Sequence, residues 1–341
     1  MNKSLFDNTE VAFKMKKNFH LYNAIFLFNI ITKKILVGIL TNLTIMMLKF
    51  RLPIKWILKG TIYKHFCGGI DIAECKKIIS DMYKMNVCSI LDYSVEGLSN
   101  ENSFNNSCEK KIKIIDIVSE NDAVPFAVFK PTSIGRYQLF KAVSDGKKLL
   151  KDEEVEWSNV VTRFHKICNH ALINKTKILI DAEEYEVQKA IDELALEMMK
   201  SYNEEYVIVY NTIQLYRWDR IDYLKKLFKD YSKSKFSFGF KLVRGAYMEK
   251  ERLLAKNGNY KSPICSSKNE TDLNFNKAID LMFKHIKKAD FFIATHNEFS
   301  NYKVIDLMKK NDIKNNSDKI WFGQLYGCLL YTSPSPRDSS E

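Results

Sequence analysis

Seven short apolar runs, separated by longer segments with helical periodicity, constrain the fold of this chain more than any other feature of its sequence. The runs are rich in Val, Ile and Phe, and they occupy residues 87–93, 124–130, 177–183, 206–212, 238–244, 290–296 and 319–325. Helical patterns lie between them, over residues 184–202, 219–232, 272–288 and 299–310. Strands that alternate with helices in this way predict βαβ units and a parallel sheet.

Two architectures compete, an open doubly wound sheet and a closed (β/α)8 barrel. A dinucleotide-binding doubly wound sheet carries GxGxxG after its first strand, and none of the twelve glycines is arranged in that way. Polar residues instead end one predicted strand after another, namely Asp92, Lys130, Asp181, Gln214, Arg244, Thr295 with His296, and Gln324. In a barrel these ends converge on one face, where such folds keep their chemistry. The sequence therefore predicts a TIM-like (β/α)8 barrel.

The organisation of the chain follows from this barrel. We expect it over residues 87–327, with seven of the eight strands that a closed barrel of this kind needs. Residues 1–86 form an N-terminal helical segment, with helices predicted over residues 10–30, 35–50, 54–65 and 71–84. Residues 99–110, with the sequence SNENSFNNSCEK, are predicted to form a polar surface loop.

Charge and cysteine content narrow the classes of function. The 53 Lys and Arg residues alternate with 41 Asp and Glu, so the net charge of +12 is typical of solvated helix faces and does not indicate nucleic acid. Seven cysteines without a CxxC pair and six histidines without HExxH spacing predict no structural zinc and no disulfide scaffold. These features favour a reducing compartment and no metal site.

The N-terminal residues bear on membrane contact. They carry Asp7 and Glu10 and no arginine, so they resemble neither a secretory signal nor a transit peptide. Residues 21–50 are strongly apolar, but Lys33 and Lys34 divide them into runs too short to span a bilayer. We expect a buried or amphipathic helical pair here, and a peripheral membrane contact stays open.

Each polar strand end has an ordinary explanation when it is taken alone. Asp181 could cap the helix that follows it, Lys130 could be solvated, and His296 could be a satisfied core histidine. Arg244 could pair with Glu249. Their convergence on one rim favours a shared function over these separate explanations.

The residues of the rim suit a nucleotide cofactor better than a metal. Lys241 and Arg244 supply positive charge, and Gly245 permits close approach of the backbone. Neutral hydrogen-bonding groups come from Gln214, Thr295, His296 and Asn297. Such a set fits a ligand with both phosphate and heteroaromatic parts, whereas a metal needs more carboxylates than the strand ends provide.

Several segments, in order along the chain, resemble the proline dehydrogenase (proline oxidase) family. Towards the C-terminus they are FGFKLVRGAYMEKER, NGNYKSPI, TDLNFNKAIDLM, IATHNE and FGQLYG. Towards the N-terminus CGGIDIAECKKII, ILDYSVEG, FAVFKPTSIGR and ILIDAEE extend the match, which covers about residues 60–327. FDNTEVAF and the overall length are more similar to bacterial single-function members than to the long bifunctional ones.

The resemblance implies a distorted (β/α)8 barrel that binds FAD without a Rossmann unit. It implies oxidation of L-proline to pyrroline-5-carboxylate in proline catabolism to glutamate, with hydride transfer to flavin N5 and electrons passed to membrane quinone. It also implies a cytoplasmic enzyme peripheral to the inner membrane, or a mitochondrial one in a eukaryote. No nucleic acid and no metal are expected as partners.

The resemblance further implies roles for individual residues. Asp181 and Arg244 are the expected catalytic residues, with the positive charge of Lys241 and Arg244 beside the flavin. The expected cofactor-binding residues are Ala182, Gln214, Lys241, Val243, Arg244, Gly245, Ala246, Thr295, His296, Asn297 and Gln324. The expected substrate-binding residues are Lys130, Asp181, Tyr247 and Leu325.

The chain departs from the family after Gly327. Family members continue through an eighth strand and a helix with a YLxRR pair whose arginines hold the substrate carboxylate, but Cys328 stands here where Met is expected. The only arginine after Arg252 is Arg337, in a Ser- and Pro-rich segment. We expect residues 328–341 to be extraneous and this 341-residue chain to have little or no activity, since losing the carboxylate clamp weakens substrate binding.

Two alternatives remain at the level of sequence. Methylenetetrahydrofolate reductase also holds FAD on a barrel, although it lacks the ordered segments quoted above. A non-catalytic remnant that keeps the flavin would be yellow but would not be bleached by proline.

Overall fold

The computed structural model of the chain describes residues 8–14, 16–54, 58–69, 72–92 and 100–326. The segment predicted to be extraneous, residues 328–341, lies outside the described residues. The described residues divide into two compact units, one formed by residues up to 87 together with 324–326, and the other by residues 88–323.

The first unit is helical. Its helices are α1 (Thr9–Ala12), α2 (Asn18–Ile31), α3 (Lys34–Lys49), a π-helical turn (Lys59–Tyr63) that leads into α4 (Lys64–Phe66), and α5 (Ile72–Tyr83). Phe28 on α2 packs with its ring centroid 5.9 Å from that of His65 and 6.0 Å from that of Phe66. No single described helix has the length and apolarity to cross a bilayer, although Asn18–Ile31 and Ile35–Lys49, bent by 101°, pass such a test as a pair.

The second unit contains seven parallel strands, which confirms the predicted α/β barrel architecture. The strands are β1 (Ile90–Leu91), β2 (Phe126–Phe129), β3 (Lys177–Ile180), β4 (Val209–Gln214), β5 (Phe238–Val243), β6 (Ala289–Ala294) and β7 (Ile320–Gly323). Each strand pairs with the next in chain order, so β1 and β7 are the edges of the sheet within the described residues. All seven strands lie within the apolar runs of the sequence or overlap them.

Aromatic side chains fill the inside of the curved sheet. Phe126, on β2, makes edge contacts with Tyr210 on β4 and with Phe292 on β6, at centroid distances of 5.5 and 5.3 Å. It also contacts Trp321 on β7 at 5.0 Å, which brings the second and the last strand together across the interior. The sheet is therefore rolled as in a barrel, because a flat sheet would keep these strands far apart.

Helices cover the outer face of the sheet. They are α6 (Glu101–Ser119), α7 (Tyr137–Ser144), α8 (Lys151–Ile173), α9 (Tyr185–Tyr202), α10 (Arg220–Asp230), α11 (Met248–Asn257), α12 (Lys268–Lys284) and α13 (Glu298–Lys310). The main core lies between them and the strands, and its largest fully buried side chains include Phe129, Phe164, Phe240 and Phe291. Each such side chain contributes about 1.5–3 kcal/mol by burial.

The prediction of a surface loop over residues 99–110 is wrong, because α6 begins at Glu101. The side chain of Asn100 caps this helix by accepting a hydrogen bond from the Ser103 amide at 2.9 Å. Phe104, Cys108 and Ile115 then lie on one buried face at spacings close to one or two helical turns. The many Asn and Ser residues were interpreted as a loop, but a helix needs only one apolar face to pack against the rest of the protein.

Candidate functional site

Four of the predicted site residues lie on the inner face of the rolled sheet. Side chains alternate between the two faces of a strand, and Val128, Leu179 and Tyr210 belong to one inner cluster. The residues of the same parity beyond them, at the carboxyl ends of β2, β3 and β4, are Lys130, Asp181 and Gln214. Lys241 on β5 joins them, because it is the register partner of Thr212, which shares the parity of Tyr210 and Gln214. The sequence expectation that these side chains share one rim is thus met by the strand geometry.

An ion pair joins two of these inner residues. The Nζ of Lys241 donates to Oδ1 of Asp181 at 2.6 Å, and the two side chains are 18% and 20% exposed. Asp181 does not cap the next helix, because Glu184 occupies the N-cap position of α9. Its backbone amide instead donates to the carbonyl of Phe129 at 3.0 Å, which continues the pairing of β3 with β2. Asp181 is therefore held by Lys241 of β5 through its carboxylate and by the end of β2 through its backbone.

Arg244 has the opposite parity to Lys241 and contacts the helices outside the sheet. Its guanidinium donates from Nε to Asp272 at 2.7 Å and from Nη1 to Thr295 at 2.6 Å. Its third donor, Nη2, lies 3.2 Å from the Ser300 hydroxyl. Pairing with Glu249 was the ordinary explanation for Arg244, and it is wrong, because the carboxylate that binds the guanidinium belongs to Asp272.

The carboxylate beside Arg244 stays ionised despite its partial burial. Burial by itself would raise the pKa of Asp272, but hydrogen bonds and charge from Lys268 and Arg244 outweigh it and lower that pKa. Lys268 donates to the second oxygen at 2.7 Å. This double pairing fixes the guanidinium between β5, β6 and the helix α12.

Gly245 follows Arg244 in a conformation that other residues rarely adopt. Its φ is +141°, and a Cβ added here would lie 2.6 Å from the ring of Tyr216. The Tyr216 amide donates to the Arg244 carbonyl at 2.7 Å, so the segment after β4 lies against the segment after β5. Val243 is half-buried and Ala246 is exposed. Tyr247 is half-buried at the N-cap of α11, and burial is the main cause that raises its pKa to about 12.

The segment after β6 forms the start of a helix at this rim. Asn297 caps α13 by accepting from the Ser300 amide at 2.9 Å, and its own amide donates to the Thr295 hydroxyl at 3.0 Å. Thr295 is also bonded to Arg244, and half-buried His296 lies between the two. A helix N-terminus carries partial positive charge, so this segment favours an anionic group.

Gln214 supplies the observation that tests whether the residues fit a cofactor. Its Nε2 donates to the Glu183 carbonyl at 2.8 Å, which fixes the amide orientation because a carbonyl cannot donate. Its Oε1 is buried and has no hydrogen-bond partner among the described residues, and the same holds for the Thr212 hydroxyl. Buried acceptors without partners are costly, so a ligand that donates an N–H here fits the site. Half-buried Ala182 lies between Asp181 and Glu183.

Two predicted residues fall outside this group. Gln324 and Leu325 directly follow β7, both are exposed, and they belong to the first compact unit. All the other predicted site residues lie in the second unit. Within the described parts of the chain, no group of three or more His, Cys, Asp or Glu side chains is placed to hold a metal ion.

Comparison with known proteins identifies the family. The family model described as "Proline dehydrogenase" matches residues 75–329, which is most of the chain. The chain belongs to the proline dehydrogenase family. Carbapenem antibiotics biosynthesis protein CarD of Pectobacterium carotovorum subsp. carotovorum is 30% identical over 262 residues, covering 77% of this chain and 67% of that protein.

Other proline dehydrogenases and their solved structures are also similar. Mitochondrial proline dehydrogenase 1 of Dictyostelium discoideum is 26% identical over 327 residues, which cover 82% of this chain and 57% of the relative. Proline utilization A (PutA) from Bdellovibrio bacteriovorus, inactivated by N-propargylglycine, superposes with a TM-score of 0.67 at 20% identity, over 77% of this chain and 28% of that one. The chain thus spans less than two thirds of the Dictyostelium relative, and the PutA structure supports the fold.

In this member of the proline dehydrogenase family, sequence reasoning missed one buried acid of the rim. Glu183 is 4% exposed, and burial is the main cause that raises its pKa to about 7. Its carboxylate accepts from the Thr132 amide at 2.8 Å and from the Thr132 hydroxyl at 2.5 Å. The segment DAEE gave no clear signal, because Glu183 lies beyond the end of β3, acids are common before helices, and its partner Thr132 is 51 residues away in the sequence.

Proposed function

We propose that this protein binds FAD at the inner rim of its barrel and oxidises L-proline to pyrroline-5-carboxylate. The observation that carries the proposal is the family match over residues 75–329, with the Lys241–Asp181 pair at the carboxyl ends of β5 and β3 inside the matched region. The names of relatives such as the Dictyostelium proline dehydrogenase support proline as the substrate.

The described residues divide the cofactor site into two parts. The free acceptor of Gln214 and the ammonium of Lys241 face the interior, where they suit a heteroaromatic ring with an N–H and a region that gains negative charge on reduction. Thr295, His296 and Asn297 at the start of α13, placed by Arg244, suit the phosphate part. Ala182, Val243, Gly245 and Ala246 would supply close backbone and apolar contacts. When bound, FAD supplies a two-electron acceptor for a hydride.

The proline site is proposed beside the ion pair. The Asp181 carboxylate can accept a hydrogen bond from the N–H of the substrate amine. Lys241 holds this carboxylate in place, with its Nζ 2.6 Å from Oδ1. Lys130 and Tyr247 would line the same space. The ring carbon next to nitrogen would give a hydride to the bound FAD and the nitrogen would release a proton to water, so that a C=N bond forms and the substrate is oxidised by two electrons. The protein contributes orientation and exclusion of water to this step.

We also propose that the electrons pass from the flavin to a membrane quinone. The net charge of +12 and the many exposed apolar side chains of α2 and α3, such as Phe19, Phe26 and Ile35, support peripheral contact with an anionic membrane. We propose attachment to the cytoplasmic face of the inner membrane, or to a mitochondrial membrane in a eukaryote. Flotation of the protein with anionic vesicles, compared with neutral ones, tests this point.

Flavin binding and flavin reduction are measured separately to test the function. The purified protein is saturated with FAD, its flavin absorbance is recorded, and L-proline is added without oxygen. Bleaching by L-proline supports the proposal, and bleaching by a reduced pyridine nucleotide alone would favour the methylenetetrahydrofolate reductase alternative. Bound flavin that neither reductant bleaches would identify a non-catalytic flavin-binding protein.

Paired variants test the assignment of the site. Lys241→Met removes the inner cation, whereas Lys303→Met removes a cation that pairs with Asp280 on the outer helices. We expect FAD affinity to fall by about tenfold in the first variant only, since one charge-assisted contact is lost. Equal effects of the two variants would contradict the proposed flavin position.

A further inference from the structure

Glu183 is a buried carboxylate at the rim for which the proposed reaction has no use. Both of its oxygens bind the same residue, Thr132, at 2.8 Å through the amide and at 2.5 Å through the hydroxyl. Thr132 lies in the short turn Pro131–Ser133, directly after Lys130. The carboxylate at the end of β3 therefore holds the turn that follows β2 and limits where Lys130 can lie.

The backbone of Glu183 makes two hydrogen bonds, as its side chain does. Its amide donates to the side chain of Gln188 at 2.8 Å, and its carbonyl accepts from Nε2 of Gln214 at 2.8 Å. The second bond turns the free oxygen of Gln214 away from Glu183. One residue thus connects the ends of β2, β3 and β4, and its connections reach Gln214 and the turn that follows Lys130.

Charged and titratable groups surround the carboxylate of Glu183. Lys130 attracts its charge, whereas Glu184, Tyr137 on α7 and Tyr247 at the start of α11 are titratable groups that oppose a further negative charge nearby. Burial raises its pKa to about 7, so the charge costs free energy that a neutral glutamine at this position would not require. Glutamine at this position would keep an acceptor for Thr132 but would not attract Lys130, so the two contributions of Glu183 can be separated by substitution.

We propose that Glu183 is a positioning residue, which sets Lys130 for the substrate through the Thr132 turn and sets the free oxygen of Gln214 for the cofactor through its own carbonyl. The inference rests on the proposed function for the identity of the two ligands. The linkage itself is a property of the described residues and can be measured without turnover.

Hydrogen exchange detected by mass spectrometry tests the linkage in the full-length protein. Glu183→Ala removes the acceptor of the Thr132 amide, and Glu183→Gln keeps an acceptor while it removes the charge. We expect the peptide that contains Thr132 to exchange about tenfold faster in the alanine variant and near the wild-type rate in the glutamine variant. Glu186→Ala is the matched control, because Glu186 also binds a neighbouring helix, through Tyr137 at 2.7 Å, but not a strand end.

Ligand measurements then test the positioning role. We expect FAD affinity, followed by flavin fluorescence, to fall about tenfold in Glu183→Ala and to recover in Glu183→Gln, which keeps the backbone placement of Gln214. For proline the glutamine variant should raise KM more than it lowers kcat, because only the restraint on Lys130 is lost. If Glu183 had only a structural role, FAD affinity and activity would fall in both variants in proportion to their loss of stability. The ratio of KM to kcat would then stay unchanged.

The outcomes separate this inference from the proposed function. If exchange at Thr132 and FAD affinity in Glu183→Ala match those of Glu186→Ala, the positioning role is refuted. If proline does not reduce the wild-type flavin while exchange and FAD affinity respond as expected, the proposed function fails and the linkage stands.

Discussion

Replacing Gly245 with alanine tests the packing between the ends of β4 and β5. The backbone at this position has φ +141°, and the added Cβ would lie 2.6 Å from three atoms of the Tyr216 ring. Tyr216 is only 3% exposed, so its ring has little free space into which it could move. The variant must change the backbone, displace the ring, or do both.

The expected cost combines two separate effects. A residue with a side chain at such a φ costs about 1–3 kcal/mol. Forcing an extra methyl group into a packed region costs about another 1–3 kcal/mol. We therefore expect Gly245→Ala to reduce the free energy of unfolding by about 4 kcal/mol, with weaker FAD binding because Arg244 directly precedes the strained peptide.

Gly146→Ala is the matched control. Gly146 has φ +69° and no atom within 4 Å of an added Cβ, so this substitution tests the backbone effect without the clash. We expect it to cost about 1 kcal/mol. Urea unfolding followed by circular dichroism measures both variants. The reasoning is refuted if the two substitutions destabilise the protein equally.

Three further predictions follow from contacts of the second unit. Arg244→Lys cannot reproduce the fork that binds Asp272, Thr295 and Ser300, and we expect guanidinium denaturation to show a loss of about 2–4 kcal/mol. Asn100→Ala should cost about 1 kcal/mol by removing the cap of α6, whereas Asn100→Ser should retain most of that stability, as thermal unfolding can measure. The folded pKa of Glu183, about 7, lies above its unfolded value of 4.5, so its contribution to stability is fully present below about pH 4.5 and is lost as the pH rises through 7. Unfolding at several pH values should therefore show that Glu183→Gln gains stability relative to the wild type over this range, and a constant difference would contradict the prediction.

The strands and the rim that carries the candidate site could be predicted from the sequence. A strand buried on both faces produces a continuous apolar run, and all seven such runs contain or overlap a strand. Polar residues at the ends of these runs identified Lys130, Asp181 and Gln214, because carboxyl ends of parallel strands share one edge. The error over residues 99–110 arose where a helix has only one apolar face and many Asn and Ser residues elsewhere.

The pairing of charges could not be predicted in the same way. Local spacing suggested Glu249 for Arg244, but the carboxylate is on α12, and Glu183 is bound by Thr132, 51 residues away. Partners at such separations depend on how the helices pack against the sheet, and many carboxylates of the chain have the same local surroundings.

The sequence alone determined the positions of the strands along the chain, the barrel class and the resemblance to the family, because these depend on periodicity and on residue types at fixed spacing. Only the tertiary structure decided that Lys241 pairs with Asp181 inside the barrel while Arg244 lies outside it with Asp272. Lys241 lies on β5 and Arg244 directly after it, and their side chains point to opposite faces because they are three residues apart. Each partner comes from an element that only folding brings near. The same holds for Glu183, whose function depends on three strand ends meeting at one rim.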